Sequence, residues 1–443
     1  MQPLLEVRSE IDQGSDLLRR YFDELRQELD RLTQENAELR ARLNQNSNNS
    51  SMPPSSERFV KQRSLREKTG RKQGGQPGHK GRTLRLAETP DIVTLHKTCT
   101  CSYCGSSLDS NTTAKYKARQ VIDVEIRRVV TEHRALTKQC SVCGKENTAS
   151  FPQGVDHYQQ YGPVYNAVVV CLSQGNYLPY DRLAKVSGDI FQIPVSTGTL
   201  VRIVRECAKK LAIPITHIKE QLIKSSLLHC DETGVRVNKK NHWLHTAGNN
   251  QYTYLETHCN RGSAATDKIG ILPAFQGTVV HDGWQAYNKY KNCDHALCNA
   301  HILRELNGII DNDKQQWPEK MKGLLLEIKH AVDAADGVLT PGKAAIIEIR
   351  YDEILVGADE ENPIDMKTPA RTKIRGRKKR SKARNLIERM KLYKADILKF
   401  MYNREVPFDN NLAERNIRMS KLYQKISGGF RSAGGNVAFD IIR

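Results

Sequence analysis

The sequence predicts an α/β protein of several domains, and three observations carry that reading. Its 443 residues exceed what one hydrophobic core usually organises. From Ser225 onward, β-rich runs such as SSLLHCD, WLHTAGN, YTYLETH and GTVVHD are interleaved with helix-like stretches. Ahead of them lie a heptad repeat and two CxxC pairs, separated by polar and glycine-rich sequence.

Charge narrows the partners. Lys and Arg total 69 against 50 Asp and Glu, a formal net charge of +19, so the surface attracts a polyanion and nucleic acid is the first candidate. The N-terminus, MQPLLEVRSEIDQ, lacks a basic region followed by an apolar run. No stretch approaches the roughly 20 apolar residues needed to span a bilayer. No membrane partner is expected, and the expected location is the cytoplasm. Four of the 11 cysteines fall into two CxxC pairs, which in a chain of this length favours metal over disulfides.

Residues 1–46 read as a leucine-zipper coiled coil. Leu18, Leu25, Leu32 and Leu39 recur every seven residues, with Phe22, Leu29, Asn36 and Leu43 at the complementary position. A buried Asn36 pairs with its own copy in a parallel dimer and fixes register, so homodimerisation is expected; the alternative is an amphipathic helix packed on its own chain. Residues 47–90 form a flexible basic linker or arm. Between Arg58 and Arg85 there are ten basic residues and one acidic one, and the glycines of GRKQGGQPGHKG prevent a regular helix. Arg71, Lys72 and Lys80 are its candidate phosphate contacts.

Residues 91–150 read as a zinc-binding module. Cys101 and Cys104 in CSYCG, with Cys140 and Cys143 in CSVCG, supply four thiolates for one closed, structural Zn²⁺ site. The alternating run VIDVEIRRVVTEHRALT between them predicts a hairpin. Residues 151–224 read as helical: a short helix, a turn and a second helix that Ser196 caps would form a helix-turn-helix presenting Thr197, Thr199 and Arg202 to DNA. An ordinary helical hairpin fits the same pattern.

Asp231 in LLHCDETGVRV and Asp282 in GTVVHDGWQAY end predicted strands, where α/β sheets commonly place their sites. Glu414 in FDNNLAERNIRMSKL sits on a predicted helix that Asp409 can cap. Carboxylates of this kind suit two Mg²⁺ ions and in-line displacement at phosphate. Each acid also has an ordinary explanation. Asp231 can cap a turn beside Thr233, with Glu232 as the functional acid on the opposite strand face. Asp282 before Gly283 fits turn chemistry, and Glu414 can pair with Arg418 four residues on.

Taken in order, the heptads, GRKQGGQPGHKG, the two CxxC pairs, HCDETGVRV, HDGWQAY and PFDNNLAERNIR resemble the DDE transposases of the insertion sequence 66 family. The resemblance covers almost the whole chain. It implies a ribonuclease H-like mixed-sheet core over residues 225–311 and 405–443, interrupted by a helical, basic insertion at 312–404. It implies Asp231, Asp282 and Glu414 as the catalytic, magnesium-binding triad. The implied reaction is cleavage at insertion-sequence ends and transfer of 3′ hydroxyl ends into target DNA, in a nucleoid-associated protein with accessory proteins from the same element. Within the insertion, Lys367 to Arg384 holds ten basic residues and no acid, and Arg377, Lys378, Lys379 and Arg380 are candidate DNA contacts. Arg415, next to Glu414, is a further candidate phosphate contact. Cys298 and His301, spaced as CxxH, are placed near the site but outside the catalytic set. Family members usually continue past the region matching KISGGFRSAGGNVAFDIIR, so a shortened C-terminus is expected. The competing expectation is a catalytically inactive, DNA-binding relative that regulates transposition, and a weaker one is a nuclease that cuts without joining.

Overall fold

The computed structural model describes residues 16–50, 74, 78–81, 84–110, 115–363 and 380–443. Two compact units emerge: Lys61–Asp156 with Val186–Pro194, and the remainder of the chain. Arg71, Lys72, Arg377, Lys378 and Lys379 lie outside the described residues, as does most of the basic arm.

In the smaller unit the two CxxC pairs fold alike. The Cys101 amide donates to the Ser106 carbonyl at 2.9 Å and Gly105 returns a bond to Cys101 at 2.9 Å; Cys140 and Gly144 repeat the pattern at 2.8 and 2.9 Å. Gly105 and Gly144 have φ of 74° and 71°, the left-handed conformation that glycine adopts without strain. Strands β1 (Thr137–Gln139) and β2 (Glu146–Thr148) pair antiparallel around the second knuckle. The hairpin predicted between the knuckles does not form: residues 115–136 hold no strand, and Val121 is 92% exposed. Alternation makes a strand only where a neighbouring strand accepts its amides and a core takes its apolar face, and neither is present there.

The larger unit begins with helix α1 (Asp16–Leu43). A helical run follows the smaller unit's first segment: α2 (Pro163–Val170), α3 (Tyr180–Asp189), α4 (Thr197–Lys210) and α5 (Ala212–Ile223). Ser196 caps α4 as its sequence predicts, its Oγ accepting the Thr199 amide at 3.2 Å. Leu200, Ile203, Val204 and Ala208 bury one face of α4, and Arg202 is exposed.

Five strands then form one mixed sheet of order β5-β4-β3-β6-β7. These are β3 (Leu227–Val237), β4 (Lys240–Gly248), β5 (Thr253–His258), β6 (Thr278–His281) and β7 (Asp294–Leu297). β3 to β5 are an antiparallel meander, whereas β6 and β7 run parallel to β3. Asn238 and Lys239, at φ 48° and 63°, make the two-residue turn whose twist suits the β3–β4 hairpin. The predicted turn at Thr233–Gly234 is therefore absent: both residues pair with β4, and Asp231 lies inside β3 rather than at its end.

Successive side chains of β3 separate the sheet's two faces. Leu228 and Cys230 join Phe275, Val279 and Leu222 of α5 in one core. Val235 and Val237 join Ile417 of α12 (Asn411–Ser427) and Phe439 of α13 (Ala433–Ile442) in another. Helix α6 (Ser263–Ile269) leads from β5 toward β6, and α7 (Asn299–Asp313) follows β7. The insertion is helical as predicted: α8 (Trp317–Ala334), α9 (Pro341–Glu361), α10 (Lys382–Leu392) and α11 (Lys394–Leu398). Its core, around Trp317, Tyr351 and Met390, is continuous with Val280, Ala296 and Leu297 of the sheet, so it packs as part of the sheet's own hydrophobic layer. Among the described residues no helix is long and apolar enough to cross a membrane.

Candidate active site

Register brings the two aspartates together. β6 pairs in parallel with β3 only from Leu227 to His229, opposite Thr278 to Val280. Continued by two residues, that register sets Asp231 opposite Asp282, on strands about 4.8 Å apart. Asp231 is thus interior to β3 yet stands at the end of its parallel neighbour. Its Oδ1 accepts the Glu232 amide at 2.8 Å, and Asp282 Oδ1 accepts the Trp284 amide at 2.9 Å. Burial pushes the Asp231 carboxyl well above the usual range, and the charges of Glu232, Asp282 and Glu414 push the same way. Asp282 and Glu414 therefore both lie within electrostatic reach of Asp231.

Glu414 is delivered by the first turn of α12. Ala413, Ile417 and Ser420 form that helix's buried stripe, which places Glu414 at its margin over the odd-numbered face of β3. Asp409 accepts the Asn411 amide at 3.1 Å, but the helix cap itself is Asn410. Glu414 Oε1 lies 3.4 Å from Arg304 Nη2 and 4.0 Å from His301 Nδ1, both on α7. Its basic neighbours are these, and not Arg418. Burial is the main force lowering the His301 pKa, with Arg304 acting in the same direction. Cys298 is buried at the start of the same helix, its thiol pushed up to about 12 by burial, and its Sγ receives the Asn410 amide at 3.2 Å.

Glu232 had a sequence signal as the alternative acid beside Asp231, but Arg261, Tyr287, His281 and His295 had none. Glu232, on the opposite face to Asp231, is bound by Arg261 and by the Tyr287 hydroxyl at 2.6 Å. The Gly283 amide donates to His281 Nδ1 at 3.1 Å, which leaves the His281 Nε2 proton to reach His295 Nδ1 at 3.0 Å; His295 Nε2 then donates to the Tyr290 carbonyl at 2.8 Å. Burial lowers His281 to about 3, so this strut behind Asp282 stays neutral. Cys298 and His301 did have a signal, the CxxH spacing just after the second aspartate. Arg415, Arg202 and Lys80 are exposed, and Arg380 faces Glu388 at 3.7 Å.

Carboxylate oxygens from two strands and one helix are a hard donor set that fits Mg²⁺, and their mutual repulsion is what a bound dication relieves. Among the described residues, the group with three potential ligand atoms within 4.8 Å of one another is Cys298, His301 and Glu414; neither the three acids nor the four knuckle cysteines close that tightly. In the first knuckle the hydroxyl and amide of Ser106 hold the Cys104 thiol down to about 7, which favours its thiolate.

Comparison with known proteins bears on two spans of the chain. No curated protein matches it. A family of unknown function (DUF6444) matches residues 5–85, the zipper and arm. The transposase IS66 family matches residues 159–438, well over half of the chain, and that span holds the sheet, the insertion and all three acids; the chain belongs to the IS66 transposase family.

Proposed function

We propose that this transposase is of the DDE type, with a ribonuclease H-like core that cleaves DNA at insertion-sequence ends and transfers the 3′ hydroxyl ends into target DNA. The observation that supports it is the β3–β6 register, which, continued two residues past its last pair, would set Asp231 beside Asp282, while Glu414 on the first turn of α12 adds its charge to theirs at Asp231. Asp231, Asp282 and Glu414 would hold two Mg²⁺ ions. Bound there, such ions activate the attacking oxygen and stabilise the leaving one. The chain's own residues fix the carboxylates: backbone amides orient both aspartates, and Asn410 and Arg304 hold the α12 end that bears Glu414. Cys101, Cys104, Cys140 and Cys143 would hold a structural Zn²⁺, each knuckle supplying two thiolates. DNA is gripped by the basic arm (Arg71, Lys72, Lys80), by Arg202 on α4, by Arg377 to Arg380 and by Arg415. The zipper makes a homodimer.

The test is Mg²⁺-dependent nicking and joining of duplex DNA bearing the element's ends. Asp282→Asn is expected to abolish both, by at least about a thousandfold, while leaving salt-sensitive DNA binding intact. Wild-type protein that binds the ends but cuts under neither Mg²⁺ nor Mn²⁺ would be the regulator instead, and cut ends without joined product would mark a nuclease.

A further inference from the structure

Arg261 follows β5 and lies between two indoles, its guanidinium carbon 4.3 Å from the Trp284 ring centre and 4.8 Å from that of Trp243. Its Nε and Nη2 reach one oxygen of Glu232, at 3.0 and 2.8 Å, and Tyr287 donates to the other. The pair is lopsided: the Glu232 side chain has 0% exposure, whereas that of Arg261 keeps 42%. A pair built only for the core hides both partners. Here the acid is sealed in and the base is held at the surface, its plane fixed by stacking and its direction by Glu232. Nη1 is used by neither Glu232 nor Tyr287. Trp284 ties this arrangement to the chemistry, since its amide is bound to the Asp282 carboxylate.

We propose that Arg261 is a phosphate-binding residue for the DNA strand that crosses Asp231 and Asp282, with Glu232 and Tyr287 as the residues that position it. The inference rests on the nucleic-acid reading of the site. A planar fork held in place loses little freedom when it closes on a phosphate, which an unrestrained surface lysine cannot match. The odd-numbered face of β3 then carries the metal-binding acid, and the next residue, Glu232, holds the substrate contact from the other face.

The test uses the full-length, zinc-loaded protein in buffer without added Mg²⁺ or Mn²⁺, with a fluorescein-labelled mixed-sequence single-stranded oligonucleotide titrated over a range of salt. Arg261→Gln with Glu232→Gln removes both charges and leaves no buried ion unpaired. It is expected to bind about tenfold more weakly, and to flatten the dependence of log Kd on log salt by about 0.7, the share of one single-strand phosphate contact. A folded double variant with the wild-type affinity and salt slope overturns the proposal. Should that variant fail to fold, Arg261→Lys decides: it keeps the charge, so an unchanged slope with affinity down about threefold supports the contact, and wild-type affinity overturns it. Because Mg²⁺ is left out of the binding assay, a wild-type protein that binds DNA but never cleaves it when Mg²⁺ is supplied refutes the strand-transfer chemistry without touching this contact.

Discussion

Asn410 is 1% exposed and spends every polar group it has. Its Nδ2 donates to the Cys230 carbonyl at 2.8 Å, its Oδ1 faces His229 Nδ1 at 2.9 Å, its amide reaches Cys298 Sγ, and its carbonyl accepts the Glu414 amide at 3.2 Å. One side chain thus fastens α12 to β3, the strand bearing Asp231. Asn410→Ala leaves the Cys230 carbonyl and the His229 ring buried and unpaired, at a cost of about 2–4 kcal/mol. Denaturant unfolding should show that loss, and strand cleavage should fall further than DNA binding because Glu414 is no longer held. Equal losses in both would assign Asn410 to stability alone. Asp231 and Asp282 were legible as candidates because each closes an apolar run, and Glu414 chiefly through the family resemblance. Asn410 and Arg261 were not, because their partners lie far along the chain and only the fold joins them.

At the scale of elements, most strands and helices that pack on a core were read where they form, although β3 runs on through the expected turn to Val237. β6 is an apolar run buried throughout, β7 is buried at its end, and the insertion helices repeat in step with a buried face. The run at 121–136 alternates, but has no sheet to join, and periodicity alone cannot reveal that. α13 shows the converse, an element whose packing includes an acid. Asp440 is buried there, with Oδ2 accepting the Thr257 amide of β5 at 3.0 Å and Oδ1 accepting from Asn436 at 3.1 Å. Burial nevertheless raises it from 3.8 to about 7. The fold therefore keeps this proton after the unfolded chain has released its own, so stability contributed at this site falls between pH 4 and pH 7 and is level above, by up to about 4 kcal/mol. Buried His229 and His281 act in the opposite sense, since their lowered pKa values favour the fold as pH rises. The difference between Asp440→Asn and wild type isolates the acid. The variant should melt closer to wild type at pH 5 and above it at pH 8, and a gap that does not change with pH would refute the assignment.

For the whole molecule, the partner still to be identified is the one facing α1. Leu18, Leu25, Leu32 and Leu39 remain exposed along this helix, Leu25 by 48%, so the heptad stripe finds no cover within its own chain among the described residues. The end of α1 is nevertheless anchored. Asn49 is buried, donating to Asp311 at 2.9 Å, and Asn307 donates to the Asn48 carbonyl at 3.2 Å. Gly308 makes room for this contact, since a Cβ there would stand 2.5 Å from the Asn49 carbonyl oxygen. The first residues of the predicted flexible linker are therefore docked on α7, the helix that also carries His301 and Arg304. An apolar stripe held at one end by its own core is suited to a second copy of the same helix, with Asn36 paired across the seam. Leu25→Glu with Leu32→Glu should convert the full-length protein from dimer to monomer in sedimentation equilibrium, leaving its thermal unfolding nearly unchanged because those side chains touch no core. Asn36→Leu should strengthen association and broaden it beyond two chains, since the buried amide is what restricts register and number. A wild-type protein that sediments as a monomer at high micromolar concentration would remove the zipper dimer and leave α1 in need of a different partner.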